Sequence, residues 1–307
     1  MARGGDAAGS HHSPASSGAI SERQATERAF YDRHYAGYAA SHGPNSLVVD
    51  PQRPPVYSAG MDDVIAYTTG LLGDLRGRRL LSVGCGVGTD VIWLAHRGAH
   101  IVATDISAAS LRLVRRRAEI NGVAERIELL QVPAESLHRV LPADRFDLAY
   151  GTEVLHHLDV ERFASALRSV LRPGGRAVFL EPIAFVPLLQ RLRESGLVQR
   201  LLPVYRHTPT ERILTPIDLV QLSRQFSATL RPYGVVTFLQ GPIERSPALV
   251  RGALYRAAGI AKDLNAAVAW EQFVRKLYRL DWGLTSRLPS IRALSRRVII
   301  TLEDKRL

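Results

Sequence analysis

The sequence predicts an α/β protein built on a doubly wound parallel sheet. Three observations predict it. Between residues 60 and 182, short apolar runs alternate with longer amphipathic stretches. The junctions carry caps and stops, such as Ser107 before and Gly122 after one helical stretch, and Gly98 after another. A glycine-rich turn, Gly84-Cys85-Gly86-Val87-Gly88, runs straight from an apolar segment into a helical one.

The elements follow in order. Residues 1–18 are rich in Ala, Gly, Ser and His without apolar periodicity, and read as a disordered tail in which His11 and His12 are not metal ligands. Ser21–Ala40 reads as a helix with Ser21 as its cap; it gathers Phe30, Tyr31, Tyr35 and Tyr38. Residues 41–58 contain four prolines and read as a loop. Helices are expected over Met61–Leu72, Thr89–His96, 108–120 and Val160–Leu171. Strands are expected over Arg79–Val83, Ala99–Thr104, Ile127–Val132, Phe146–Tyr150 and, after the Pro173-Gly174-Gly175 turn, Arg176–Leu180. After Pro182 the pattern becomes helical, over 183–225 (including Pro216–Phe226) and again over 245–295. Tyr233–Leu239 and Val298–Leu302 are the remaining strand candidates.

Composition narrows the classes. The 307 residues are 46% hydrophobic and 22% charged, ordinary for a globular chain. One cysteine, Cys85, excludes an internal disulfide framework and a cysteine-based zinc site. There is no apolar run long enough for a membrane span and no signal-peptide pattern, so a soluble cytoplasmic protein is expected. Net charge is +11, and Lys262, Lys276 and Lys305 are the only lysines. Residues 1–58 and 59–182 are each electrically balanced; the whole excess falls in 183–307.

The chemistry concentrates at the glycine turn. Glycines let the backbone turn tightly and let a ligand approach, and the helix that follows offers free N–H groups. Asp105 ends the next strand, 21 positions after Gly84, where a carboxylate can accept from two ribose hydroxyls. A dinucleotide-binding turn would place its third glycine one position later.

The G-x-G-x-G spacing, with the motifs downstream, resembles the class I S-adenosylmethionine-dependent methyltransferases over residues 60–182. The resemblance implies a Rossmann-like, seven-stranded, mostly parallel sheet whose last two strands, an antiparallel pair, come from 233–239 and 298–302. It implies S-adenosylmethionine as cofactor, with Gly84, Cys85, Gly86 and Gly88 at its methionine part, Asp105 at its ribose and Ile106 packed on its adenine. Ala134-Glu135 matches the adenine-edge segment, although Pro133 stands where the family often has Asp. The segment Phe146–Tyr150 followed by Glu153–Leu158 matches the fourth-strand motif, which places Tyr150 and Gly151 at the cofactor. Leu171-Arg172-Pro173-Gly174-Gly175 matches the turn before the fifth strand. The implied layout is a tail (1–18), an N-terminal helical lid (19–58), a cofactor core (59–182), and a helical substrate cover with the last two strands (183–307).

Methyl transfer from a sulfonium mainly needs alignment and sometimes removal of a proton. His156, just past the fourth strand, is the candidate general base, or it packs the helix start; Glu181, ending the fifth strand, either orients it or bonds the substrate. His157 reads as structural. His207 either faces substrate or caps a helix. Tyr31, Tyr35 and Tyr38 either close over the cofactor or pack as core. Cys85 reads as a small residue against the cofactor, not a nucleophile. No metal site is expected.

The expected function is methylation of a small-molecule acceptor, at oxygen, in a biosynthetic pathway. The alternatives are a cofactor-binding protein without methyl transfer, serving as a scaffold or rearrangement catalyst, or methylation of a lipid-like, carrier-bound or RNA substrate. The basic stretch Val186–Tyr205, with Arg191, Arg193 and Arg200, is either a solvated face or a contact for an anionic acceptor, a carrier protein or an anionic membrane surface. The absence of an RNA-binding module and an aromatic content of 7% speak against nucleic acid.

Overall fold

A computed structural model describes residues 17–55, 60–186, 188, 190, 191, 212–261 and 264–306. Seven strands form one sheet: β1 (Arg79–Val83), β2 (His100–Asp105), β3 (Ile127–Gln131), β4 (Phe146–Thr152), β5 (Leu171–Pro182), β6 (Phe226–Tyr233) and β7 (Arg297–Asp304). Their order is β3-β2-β1-β4-β5-β7-β6. Only β7 runs against its neighbours β5 and β6. The order reverses between β1 and β4, and ligands of open α/β sheets bind at the carboxyl ends of strands flanking such a switch point.

The strands are apolar because both faces are covered. Leu80, Leu81 and Val83 of β1 are fully buried, and the sheet separates two apolar cores. The helices in chain order are α1 (Ser17–Ser41), α2 (Asp62–Gly70), α3 (Thr89–His96), α4 (Ala108–Ile120), α5 (Val160–Val170), α6 (Pro216–Gln225), α7 (Gln240–Glu244), α8 (Ala248–Ala257) and α9 (Ala266–Arg287). Their caps are the ones their sequences offer. Ser107 Oγ accepts Ser110 N–H at 3.2 Å to open α4, and Asp159 accepts Arg162 N–H at 3.1 Å to open α5. On α5, Phe163, Ala164, Leu167 and Val170 recur at helical spacing and are all buried against the sheet.

Three expectations change. Helix α1 starts at Ser17, so Ser21 lies inside it and is not its cap. The expected tail otherwise falls, with His11 and His12, outside the described residues. The sixth strand is Phe226–Tyr233, not Tyr233–Leu239. Pro232 is tolerated there because β6 is the edge strand. Beyond it Gly234 turns the chain at φ 89°, and Thr237–Leu239 forms a 3₁₀ turn. Buried Asp281 of α9 holds this corner by accepting the N–H groups of Gly234 and Val236, at 2.6 and 2.5 Å. A side chain 45 residues away thus overrides the β propensity of Val235-Val236-Thr237. Finally, β5 begins at Leu171 and passes through the Pro173-Gly174-Gly175 turn as an irregularity in its pairing with β4. Most of Val186–Tyr205, including Arg193 and Arg200, and His207 lie outside the described residues. No helix among those described is long and apolar enough to cross a membrane.

Candidate active site

A cavity of about 940 Å³ opens at the carboxyl ends of β1, β2, β4 and β5, under α1 and the segments after β5. The glycine turn forms one wall, and its three glycines do different work. All three have positive φ: 64° at Gly84, 51° at Gly86 and 75° at Gly88. A Cβ on Gly86 would point toward Tyr35 Oη, 3.1 Å away, whereas one on Gly84 would strike Val154 Cγ2 at 2.6 Å. At Gly88 it would strike Val114 Cγ2 at 2.6 Å. Gly84, Cys85 and Gly86 line the cavity; Gly88 does not, and serves the packing of α3 on α4 instead.

Asp105 lines the cavity and braces the turn. Its Oδ2 accepts Gly86 N–H at 3.0 Å and Ser110 Oγ–H at 2.9 Å, while Oδ1 accepts Ser107 N–H at 2.9 Å. Burial raises its pKa against the pull of these hydrogen bonds. The backbone of Ile106 adds a further hydrogen bond to this carboxylate. Burial also holds the Cys85 thiol well above its usual value, which removes it as a nucleophile. Ile106, Val132, Pro133 and Ala134 give the neighbouring wall an apolar strip. Glu135 lines it too, but its carboxylate is engaged elsewhere, by Arg23 at 2.6 Å, Gln24 at 3.3 Å and Asp159 N–H at 3.1 Å. It ties α1 down instead of presenting itself to an adenine edge.

Tyr150 and Gly151 do not reach the cavity. Strand alternation turns Tyr150 into the apolar core, fully buried, and a Cβ on Gly151 would meet Val154 and Phe179. The cofactor role expected of them is corrected accordingly.

His156 is 3% exposed and lines the cavity. Its Nδ1 stands 2.8 Å from Glu181 Oε2. Glu181 is fully buried, lies behind the cavity wall, and accepts Val154 and Leu155 N–H at 2.9 Å each through Oε1. Both of its oxygens are thus engaged by the protein, one of them by His156. With Nδ1–H donated to a carboxylate, Nε2 is the basic nitrogen.

His157 also lines the cavity, and its partners are on α1. Nε2 is 3.0 Å from Tyr31 Oη, and Nδ1 is 3.4 Å from Glu27 Oε2. Further along α1, Asp32 accepts Ser107 Oγ–H at 2.7 Å and Ala109 N–H at 3.1 Å, at the N-terminus of α4. Tyr35 is neutral, its pKa pushed well up by burial and by the Asp105 charge. Tyr31 and Tyr35 both line the cavity; Tyr38 does not, and stacks on His42.

Sequence reasoning missed Glu27, Asp32, Glu153, Arg212, Arg296 and Arg297, of which all but Asp32 line the cavity. Only Glu27 had a local signal, its i,i+4 spacing to Tyr31 on α1. The rest are brought in by tertiary packing.

A methyltransferase-domain family profile matches residues 81–179. A ubiquinone biosynthesis O-methyltransferase of Bordetella avium (strain 197N) is 32% identical over 178 residues, 56% of this chain and 70% of that protein. The chain belongs to the class I S-adenosylmethionine-dependent methyltransferases. An uncharacterised Synechococcus protein is 43% identical to the methyltransferase over 115 residues, which span 36% of this chain and 27% of that protein. Two solved structures share the fold. The [4+2]-cyclase SpnF has a TM-score of 0.54 at 19% identity, covering 92% of this chain and 95% of that one. A geranyl diphosphate C-methyltransferase from Streptomyces coelicolor A3(2), in complex with S-adenosyl-L-homocysteine, has a TM-score of 0.53 at 14% identity, covering 96% of this chain and 100% of that one.

The methyltransferase's cofactor is S-adenosylmethionine, and the residues present fit it. The Gly86 cradle has no side chain to fill it, and the Asp105 carboxylate lines the same wall. Asp90 and Asp105 give this wall the negative charge that a sulfonium and an ammonium group require.

Proposed function

We propose that the methyltransferase methylates a hydroxyl oxygen of a small biosynthetic acceptor, with His156 as general base. The observation that carries this reading is the buried Glu181–His156 pair at the cavity wall, 2.8 Å apart. Glu181 stabilises the Nδ1–H tautomer and the imidazolium that forms when Nε2 takes the hydroxyl proton. The cofactor, when bound, supplies a methyl group already activated on sulfur. Gly84, Cys85 and Gly86 would hold its methionine part, Asp105 its ribose, and Ile106 with Ala134 its adenine. Tyr31 and Tyr35, carried by residues 19–58, would close the cavity from above. Residues 59–182 are then the cofactor core and 183–307 the acceptor cover. The name of the Bordetella relative supports oxygen as the acceptor atom.

Calorimetry with S-adenosylmethionine, followed by S-adenosylhomocysteine release against a panel of phenols, alcohols, amines and thiols, tests the reading. Hydroxyl acceptors should yield product and amines should not. Binding without product across the panel would favour a role without methyl transfer.

A further inference from the structure

The cavity is electrically divided. Its wall at the ends of β1 and β2 carries Asp90 and Asp105, while Glu135 beside them is paired with Arg23, which also lines the cavity. Its wall beyond β5 carries Arg212, Arg296 and Arg297. Among the described residues on the acceptor side, Glu153 at the end of β4 is the carboxylate facing them. The acidic wall suits a cationic cofactor. The basic wall has the opposite sign and stands where the acceptor must lie.

Two of these arginines are fixed by the fold. Arg212 is clamped from behind by Asp218, Nη1 to Oδ2 at 2.8 Å and Nη2 to Oδ1 at 2.6 Å. Asp218 is buried, also accepts from Thr215 N–H and Oγ–H, and lies outside the cavity lining. It uses two of the five guanidinium N–H groups. The backbone N–H of Arg212 meets the carbonyl of His156 at 3.4 Å, which sets this arginine beside the candidate base. Arg297 opens β7 opposite Pro182, one step past Glu181 in the strand, and reaches Glu153. Glu153 sits at φ 55°, an unusual backbone for a residue with a Cβ. The Arg297 side chain is partly exposed and pairs with Glu153 at the cavity rim.

We propose that Arg212 and Arg297 form an oxyanion-reading subsite, so that the acceptor carries a carboxylate or phosphomonoester besides the hydroxyl served by His156. The planar guanidinium fork matches either group and binds it through paired N–H donors. Glu153 occupies Arg297 until the acceptor's anion replaces it. The position of the acceptor rests on the methyl-transfer reading above.

The test is binding, not turnover. The full-length protein, saturated with S-adenosylhomocysteine, is titrated in a calorimeter with matched pairs: 3,4-dihydroxybenzoate against its methyl ester, and phenyl phosphate against phenol. In at least one pair the charged member should bind about tenfold or more tightly than the neutral one; which pair it is identifies the anion. Arg212→Gln and Arg297→Gln should each cut that preference by about tenfold. Glu153→Gln should instead raise affinity for the charged member, because Arg297 loses its competitor. A purely structural Arg297–Glu153 pair predicts the opposite sign. Equal affinities within both pairs, no binding by either charged member, or a preference that survives both arginine substitutions overturns the proposal. Failure of oxygen methylation with the preference intact strikes the His156 reading alone.

Discussion

Residues in the cavity wall that look equivalent in sequence separate by what they touch. Gly86 faces the cavity, whereas Gly88 faces Val114. Gly88→Ala should therefore cost stability, about 2–4 kcal/mol from a left-handed backbone and overpacking together, measured by denaturant unfolding. The same substitution at Gly86 should mainly weaken cofactor binding in calorimetry. Asp105→Ala should do both, since its carboxylate braces the turn as well as facing the ligand. In the proposed mechanism His156 and Glu181 divide one task in the same way. Glu181→Gln keeps the shape but loses the charge that favours imidazolium, so turnover should fall while acceptor KM stays nearly constant. Equal turnover of the Glu181→Gln variant would remove its positioning role. In sequence, Gly84, Asp105, His156 and Glu181 were legible because each sits at a fixed distance from a strand end. Tyr150 and Gly151 have the same distance signal and fail it, because the alternation of β4 turns them away from the cavity.

Among the elements, α1 carries the most consequence for its length. It reaches the cavity rim through four separate contacts: Arg23 and Gln24 on Glu135, Glu27 and Tyr31 on His157, Asp32 on Ser107 and Ala109, and Tyr35 over Gly86. Burial pushes the Asp32 carboxyl up, but hydrogen bonds from Ser107 and Ala109 outweigh it and hold the net value below the ordinary 3.8. A depressed folded-state value contributes docking stability above the unfolded value, and that stability is lost as pH falls through the folded one. Amide exchange of α1 should thus stay slow at pH 5 and accelerate only below about pH 4. Asp32→Asn should flatten that acid limb; an unchanged limb would show that another group controls docking. The sequence displayed α1 as a helix with four aromatic rings but not its face, since its mates lie at the exits of β1, β2, β3 and β4, more than 50 residues away. The same limit explains the sixth strand, where buried Asp281 of α9, and not local propensity, decides where the chain turns.

At the scale of the whole molecule, the parallel core was legible because each of its βαβ units is written locally, in apolar runs, caps and glycines. The cover was not, because its helices are amphipathic with no fixed partner visible in sequence, and its arginines acquire meaning only where the fold delivers them to the cavity. The net charge of +11 lies wholly after residue 182, and Arg212, Arg296 and Arg297 bring part of it to the cavity. Cofactor binding should stabilise the whole fold: at about 100 times Kd the gain is about 2.7 kcal/mol, read as a rise in Tm. His156→Ala should show the same rise as the natural chain, and Asp105→Ala a smaller one. The central claim, oxygen methylation with His156 as base, is tested most directly by single-turnover methyl transfer to an accepted hydroxyl compound. The natural chain and His156→Ala are compared with S-adenosylmethionine saturating, and the methyl group is located by NMR. The account predicts a methyl ether as product and a loss of about 100-fold or more in the variant, with cofactor affinity unchanged. Natural-rate turnover by His156→Ala, or a methyl group on nitrogen or carbon, would contradict it.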